Sequence, residues 1–264
     1  MTGVLAFIGR QTLGLLRYAS GLYDLTAKTA YWTFVAPFKG RGLKWGSAVH
    51  QMVLAGFNAL PIVSLISFSV GMVLAFQGAY QLEKFGAGYF VAALVGVSMT
   101  RELGPLITAI VVAGRSGSSF AAEIGTMKVS EEIDALEAMG LNSVKYLVVP
   151  KYLAMLLMMP CLTLISDLSG ILGGTVFGIY QLDQTFSMYV TATRDALVMR
   201  DISTGLVKSL VFGVIITKVG CYEGFAVSGG AEGVGRSTTS SVVISIFLVI
   251  LADLLFTALF YYTS

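Results

Sequence analysis

Arg101 and Glu102 stand side by side inside a stretch that is otherwise apolar from Tyr89 to about Ala113. A charge at the centre of a bilayer costs about 3 kcal/mol on insertion scales, so it must face a partner or a wet cavity. Neighbouring helical residues diverge by about 100°, so Arg101 and Glu102 need not pair with each other. Two readings follow: the pair lines a polar site in an apolar wall, or it makes intramembrane ion pairs that order a bundle. Further single charges, Asp167, Lys208, Lys218, Glu223 and Asp253, interrupt other apolar runs and read as structural pairs or as side chains snorkelling to the interface. A second concentration of chemistry is acidic: Glu123, Glu131, Glu132, Asp134 and Glu137. His50 is the sole histidine, and Cys161 and Cys221 sit in apolar runs, so neither a zinc site nor a disulfide framework is expected. There is no GxxxxGK[ST] phosphate loop and no convincing nucleophile–base pair.

The composition explains why these charges stand out. Of 264 residues, 56% are apolar and 12% charged, where a soluble domain carries about 25% charged. Half that content cannot coat a water-facing surface, and the aliphatic and aromatic richness excludes disorder. A net charge of +2 is too weak to suggest nucleic-acid binding. The expected fold is an all-α, polytopic membrane bundle forming one domain.

Five runs are long enough to cross a bilayer as helix: Met52 to about Leu82, Tyr89 to about Ala113, Tyr152 to about Tyr180, Gly205 to about Ala226, and Val242 to Tyr262. The bundle therefore occupies 52–262. Residues 1–40 differ. Arg10, Gly14, Arg17, Gly21, Asp24 and Lys28 recur at alternating four- and three-residue steps, with Leu5, Ile8, Leu15, Leu16, Leu22 and Leu25 elsewhere on the helix. This pattern predicts an amphipathic helix lying in the membrane interface rather than a signal peptide; the alternative is a short transmembrane or core helix, against which Arg10, Arg17 and Lys28 interrupt any run long enough to span.

Lysine and arginine set the orientation. Arg10, Arg17, Lys28, Lys39, Arg41 and Lys44 precede the first span; Arg115, Lys128, Lys145 and Lys151 join the second to the third; Arg236 precedes the last. These eleven face Lys84, Arg194 and Arg200 on the other side. The bias puts the N-terminus in the cytoplasm and the C-terminus outside. The 115–151 loop is then cytoplasmic. Within it, Ser130–Met139 predicts a short helix with Ser130 as N-cap and Gly140 as C-terminal cap. Ile133, Leu136 and Met139 form its apolar stripe, which either packs on its own bundle or seats in a partner. Met155, Met158 and Met159 read as core.

Glu137-Ala138-Met139-Gly140, with Pro150 ten residues beyond Gly140, resembles the EAA loop of ABC importer permeases. The wider sequence resembles the MlaE (YrbE, Mce-associated, chloroplast TGD-like) permease family. Gln77-Gly78, Arg101-Glu102-Leu103-Gly104-Pro105, Ala113-Gly114-Arg115-Ser116-Gly117-Ser118, Ala122-Glu123-Ile124-Gly125-Thr126-Met127 and Gly235-Arg236-Ser237-Thr238-Thr239 carry it, in order.

The resemblance implies a permease subunit of an ABC transporter that moves phospholipids or related lipids between membranes. A second copy of the chain, an ABC ATPase that binds the ATP, and a periplasmic MCE-domain protein are the implied partners, in a bacterial inner membrane. The chain itself would need no cofactor and hydrolyse nothing. It also implies that Arg101, Glu102, Leu103, Leu74, Gln77, Leu82 and Phe85 contact lipid. Glu123, Glu131, Glu132, Ile133, Leu136, Glu137, Met139 and Gly140 are the residues expected to couple to the ATPase. Other readings remain: a permease for a sterol or another hydrophobic compound, a membrane-embedded enzyme, or a scaffold without transport.

Overall fold

The computed structural model describes residues 2–36, 44–182 and 184–262, with side chains omitted for the first ten of these and for 15 and 261. Lys39 and Arg41 of the orientation count lie outside the described residues. The described residues form helices and connecting turns without strands. Five helical stretches are long and apolar enough to cross a membrane: Trp45–Phe85, Gly88–Val129, Val144–Gln181, Met199–Phe225 and Gly230–Phe260.

Before them runs α1 (Thr2–Ala30), extended by a π-helical turn at Tyr31–Val35. The first span combines α2 (Trp45–Gln51) and α3 (Leu60–Leu82), the second α4 (Val91–Ser98), α5 (Gly104–Val112) and α6 (Ser118–Val129). A short α7 (Glu132–Ala138) crosses to α8 (Val149–Gln181); α9 (Phe186–Ala196), α10 (Met199–Phe225) and α11 (Gly230–Tyr262) complete the chain.

The central element is α8, packed against α3 on one side and α10 on the other. Small residues bring it close to α3. A Cβ built on Gly71 would lie 1.9 Å from the Gly170 carbonyl oxygen, and one on Gly173 2.0 Å from that of Phe68. In lipid, where apolar side chains gain nothing by leaving solvent for each other, this backbone approach is what holds two helices together. The main core is aliphatic and sulfur-rich: Val112, Phe120, Ile124, Met155, Met159, Leu162, Phe212 and Ile216 are all buried. Met155 and Met159 are core, as expected, and Met158 packs on Gly56. The last helix is different: Phe247, Ile250, Leu254, Leu255 and Leu259 of α11 are exposed.

The structure changes three local expectations. Most of 115–151 is helix, because α6 continues the second span and the third begins at Val144, leaving only the α7 segment as a crossing. Ser130 does not cap α7. Its hydroxyl donates to the Thr126 carbonyl at 2.9 Å and so closes α6, while Glu131, at φ 60° and ψ 13°, stands at the N-cap of α7. Finally, the segment between the third and fourth spans contains α9. Tyr189 of α9 is fully buried against Gly174 and Gly178 of α8, and Thr193 packs on Gly96 of α4. Gly140 ends α7 as expected, at φ 75°.

Candidate functional site

The Arg101–Glu102 block lies on a π-helical turn, Met99–Leu103, between α4 and α5. Pro105 supplies a local cause. It has no N–H to return to the preceding turn, so the helix there cannot close an ordinary α ladder. Wider turns of this kind re-aim side chains, and here adjacent residues leave in different directions. Arg101 Nη1 reaches Asp201 Oδ1 at 3.9 Å, at the start of α10. Asp201 also accepts the Val198 N–H at 3.2 Å, which closes the first turn of α10.

Glu102 meets a different set of partners. Lys208 Nζ of α10 donates to Glu102 Oε2 at 2.5 Å and to Thr257 Oγ1 of α11 at 2.8 Å, and lies 2.9 Å from Asp253 Oδ1. The Thr257 hydroxyl donates in turn to Glu102 Oε1 at 3.0 Å. Three spans thus converge on one ammonium group. Lys208 is wholly buried, whereas the Glu102 side chain keeps 31% of its exposure. One cation between two carboxylates leaves one formal negative charge, and Glu102 is the member that opens outward. At 1.5 Å per residue, Lys208 lies about 14 Å along α10 from Met199, well inside the end of the bundle opposite α7.

A second polar group lies deeper in the same neighbourhood. Asp167 of α8 is buried, with Oδ1 1.7 Å from where a Gly104 Cβ would stand. Next to it, Ser166 shares a 2.6 Å hydrogen bond with Ser67 of α3 and donates to the Gly104 carbonyl at 3.3 Å.

The residues expected to contact lipid divide into two groups. Leu74, Leu82 and Leu103 are partly buried and gather on one apolar cluster with Ala75, Ala79, Val91, Val95 and Met99, beside the turn that carries Arg101 and Glu102. Gln77 and Phe85 do not join it; Gln77 is exposed and Phe85 is 83% exposed near the end of the first span. Lys208 and Asp253, read from sequence as structural pairs or snorkelling side chains, pair with each other, and Lys208 is also the partner of Glu102. Thr257, four residues beyond Asp253, went unnoticed because a lone hydroxyl in an apolar helix carries no signal without its neighbours.

At the other end, α7 lies crosswise. Ile133 is buried and Leu136 packs on the main core, so two of the three stripe residues face the chain's own bundle. Met139 is 66% exposed. Around it Glu131, Glu132, Asp134, Glu137 and Gly140 are exposed. Glu137 Oε1 accepts from the Ser143 hydroxyl at 2.8 Å, and Asp134 pairs with Lys128 at 3.2 Å. Glu123 is not on α7. It belongs to α6 and pairs with Lys151 Nζ of α8 at 2.7 Å, where the buried Lys151 also lies 5.5 Å from the Phe120 ring centre. The free surface of α7 is therefore acidic with one apolar knob.

The arrangement joins a polar, partly open carboxylate in an apolar wall to a crossing helix at the opposite end. No group of three or more histidine, cysteine or acidic side chains suited to a metal occurs among the described residues.

Known proteins resemble the chain over nearly its whole length. The family model described as Permease MlaE matches residues 48–259. A probable ABC transporter permease protein of Rickettsia bellii is 42% identical over 254 residues, 96% of each chain. One from Synechocystis is 40% identical over 78% of this chain and 79% of its own. The chloroplast protein TRIGALACTOSYLDIACYLGLYCEROL 1 of Arabidopsis thaliana is 36% identical over 84% of this chain and 63% of its own.

Proposed function

Because the chain belongs to the MlaE family of ABC transporter permeases, we propose that it is the membrane subunit through which an ATP-driven transporter moves phospholipids or related lipids between membranes. The observation that carries this reading is the Glu102–Lys208–Asp253–Thr257 cluster, set beside the Leu74, Leu82 and Leu103 surface. A site that takes an amphiphile needs mostly apolar lining with a few fixed polar groups. The cluster supplies those groups, and its partly exposed member is Glu102. The name of the Arabidopsis relative contains a glycolipid, which supports lipid as the class of cargo.

ATP binding and hydrolysis belong to a separate ABC ATPase, which seats on the exposed acidic face of α7 around Met139. A second copy covers the apolar face of α11, so that the two Glu102 regions face a shared cavity. An MCE-domain protein lies against the end opposite α7. The lysine and arginine bias supports an inner-membrane orientation with the N-terminus and α7 in the cytoplasm and the C-terminus in the periplasm.

The test is reconstitution of the chain with its ATPase in vesicles carrying a fluorescent phospholipid. ATP-dependent transfer that falls at least tenfold with Glu102→Ala supports the reading. Transfer of a sterol but not of the phospholipid would overturn the assignment of cargo.

A further inference from the structure

A second charged position in the second span also sits on a π-helical turn, at the end of the bundle that carries α7. Arg115 lies in Ala113–Gly117, and this turn is tied to another π-helical turn, Met52–Gly56, at the start of the first span. Arg115 Nη1 donates to the Leu54 carbonyl at 3.3 Å, and Ser116 Oγ donates to that of Ala55 at 2.9 Å. A cavity of about 230 Å³ opens between the turns, lined by Gln51, Leu54, Arg115, Ser119, Phe120 and Glu123.

The charges of this cavity do not cancel. Its one carboxylate, Glu123, is engaged by Lys151 at 2.7 Å. Among the described residues Arg115 makes no ion pair, and its side chain spends one donor on a backbone carbonyl. A guanidinium carries five N–H donors in a rigid fork, so four remain for a ligand. The Ser119 hydroxyl and the Gln51 amide add neutral hydrogen-bonding groups. Leu54 of the cavity wall is itself 44% exposed. The cavity rim therefore carries exposed apolar surface beside its polar lining.

We propose that this cleft binds the phosphate group of a phospholipid from the leaflet at the α7 end. Arg115 holds the phosphate oxygens, Ser119 and Gln51 add hydrogen bonds, and the acyl chains lie against the exposed Leu54. A guanidinium matches two phosphate oxygens at once, which the neutral side chains of serine and glutamine do not. Glu123 is compatible with the anion because Lys151 neutralises it. This site is separate from the Glu102 cluster, which lies towards the other end of the bundle. It requires the membrane-spanning fold but neither an ATPase nor transport, so it stands or falls independently of the proposed function.

The chain has two tryptophans, Trp32 and Trp45, so one indole can be moved to the cavity rim as a local readout. In the full chain carrying Trp32→Phe, Trp45→Phe and Leu54→Trp, the indole at position 54 is the sole one. It is titrated in detergent with a brominated-acyl phosphatidylglycerol and, separately, with a brominated diacylglycerol that lacks the phosphate. The expected result is quenching by the phospholipid at a concentration at least tenfold lower than in the Arg115→Gln variant, with diacylglycerol quenching alike in both. Ser119→Leu, which fills the cavity and leaves Arg115 in place, is expected to reproduce the loss. Reversal by millimolar inorganic phosphate would keep Arg115 as an anion site but assign it to a soluble phosphate. Equal phospholipid quenching in the parent, Arg115→Gln and Ser119→Leu chains overturns the proposal.

Discussion

Lys208 Nζ stands 2.5 Å from Glu102 Oε2, and the pair joins the fourth membrane-spanning stretch to the second across 106 residues of sequence. Asp253 lies 2.9 Å from the same nitrogen, so one buried cation serves two carboxylates. Removing one partner of a buried pair costs about 3–5 kcal/mol, because the remaining charge is left uncompensated.

This unequal count gives a prediction that compares a single with a triple variant. Lys208→Met alone leaves Glu102 and Asp253 facing each other and is expected to be severely destabilising. Adding Asp253→Asn and Glu102→Gln removes the stranded charges and should recover about half of the loss or more. Thermal unfolding of the detergent-purified variants measures both. Equal damage in the single and triple variants would contradict an electrostatic role for the cluster.

Gly104 carries a steric prediction. Its Cα faces Asp167, so Gly104→Ala puts a methyl group 1.7 Å from Oδ1. The side chain or the helix must move, at a cost of about 1–3 kcal/mol. A second-site Asp167→Ala change opens room and should relieve most of it. Unfolding midpoints of the single and double variants check the relief.

The two faces of α7 separate folding from coupling. Leu136→Ala removes a side chain that packs on the main core and should lower stability by about 1–3 kcal/mol. Met139→Lys changes an exposed side chain and should leave unfolding within about 0.5 kcal/mol of the parent while weakening retention of the ATPase. Co-purification and thermal unfolding read the two effects independently.

How far this was legible from sequence follows from what periodicity contains. Apolar length alone located five spans. Their ends ran further because polar helix such as Ser118–Val129 carries no hydropathy signal. The 3.6-residue period placed Ile133 and Leu136 on one face of α7, but a period names a face and not what that face meets; here it meets the chain's own core. The same period correctly separated Arg101 from Glu102. That Glu102 would find Lys208 and Thr257, and share the lysine with Asp253, depends on the relative depth of three helices, which no local pattern encodes. The helix α9 carries no such signal, because its buried contacts are Tyr189 set against two glycines of α8 and Thr193 set against Gly96 of α4, matches visible only once the helices are in place.

Tyr18 gives a pH prediction for the docking of α1. Its ring meets Tyr222 of α10 edge-on at 4.8 Å. Burial first, and then the Glu223 carboxylate, hold its hydroxyl well above the usual tyrosine range. A folded pKa raised above the unfolded value means that the neutral form favours the fold. Its contribution is complete below the ordinary tyrosine pKa of about 10 and falls as pH climbs above it. The parent is therefore expected to lose stability relative to Tyr18→Phe above about pH 10. Unfolding midpoints compared between the two proteins from about pH 8 to 11 test this, and parallel curves would refute it.

The central claim, an ATP-driven lipid permease, is tested most directly by native mass spectrometry of the complex purified through this chain, with identification of whatever lipid accompanies it. The account predicts two copies of the chain with two ATPase subunits and bound phospholipid, and loss of the ATPases with Met139→Lys. A chain that emerges alone, with neither ATPase nor lipid, would contradict it.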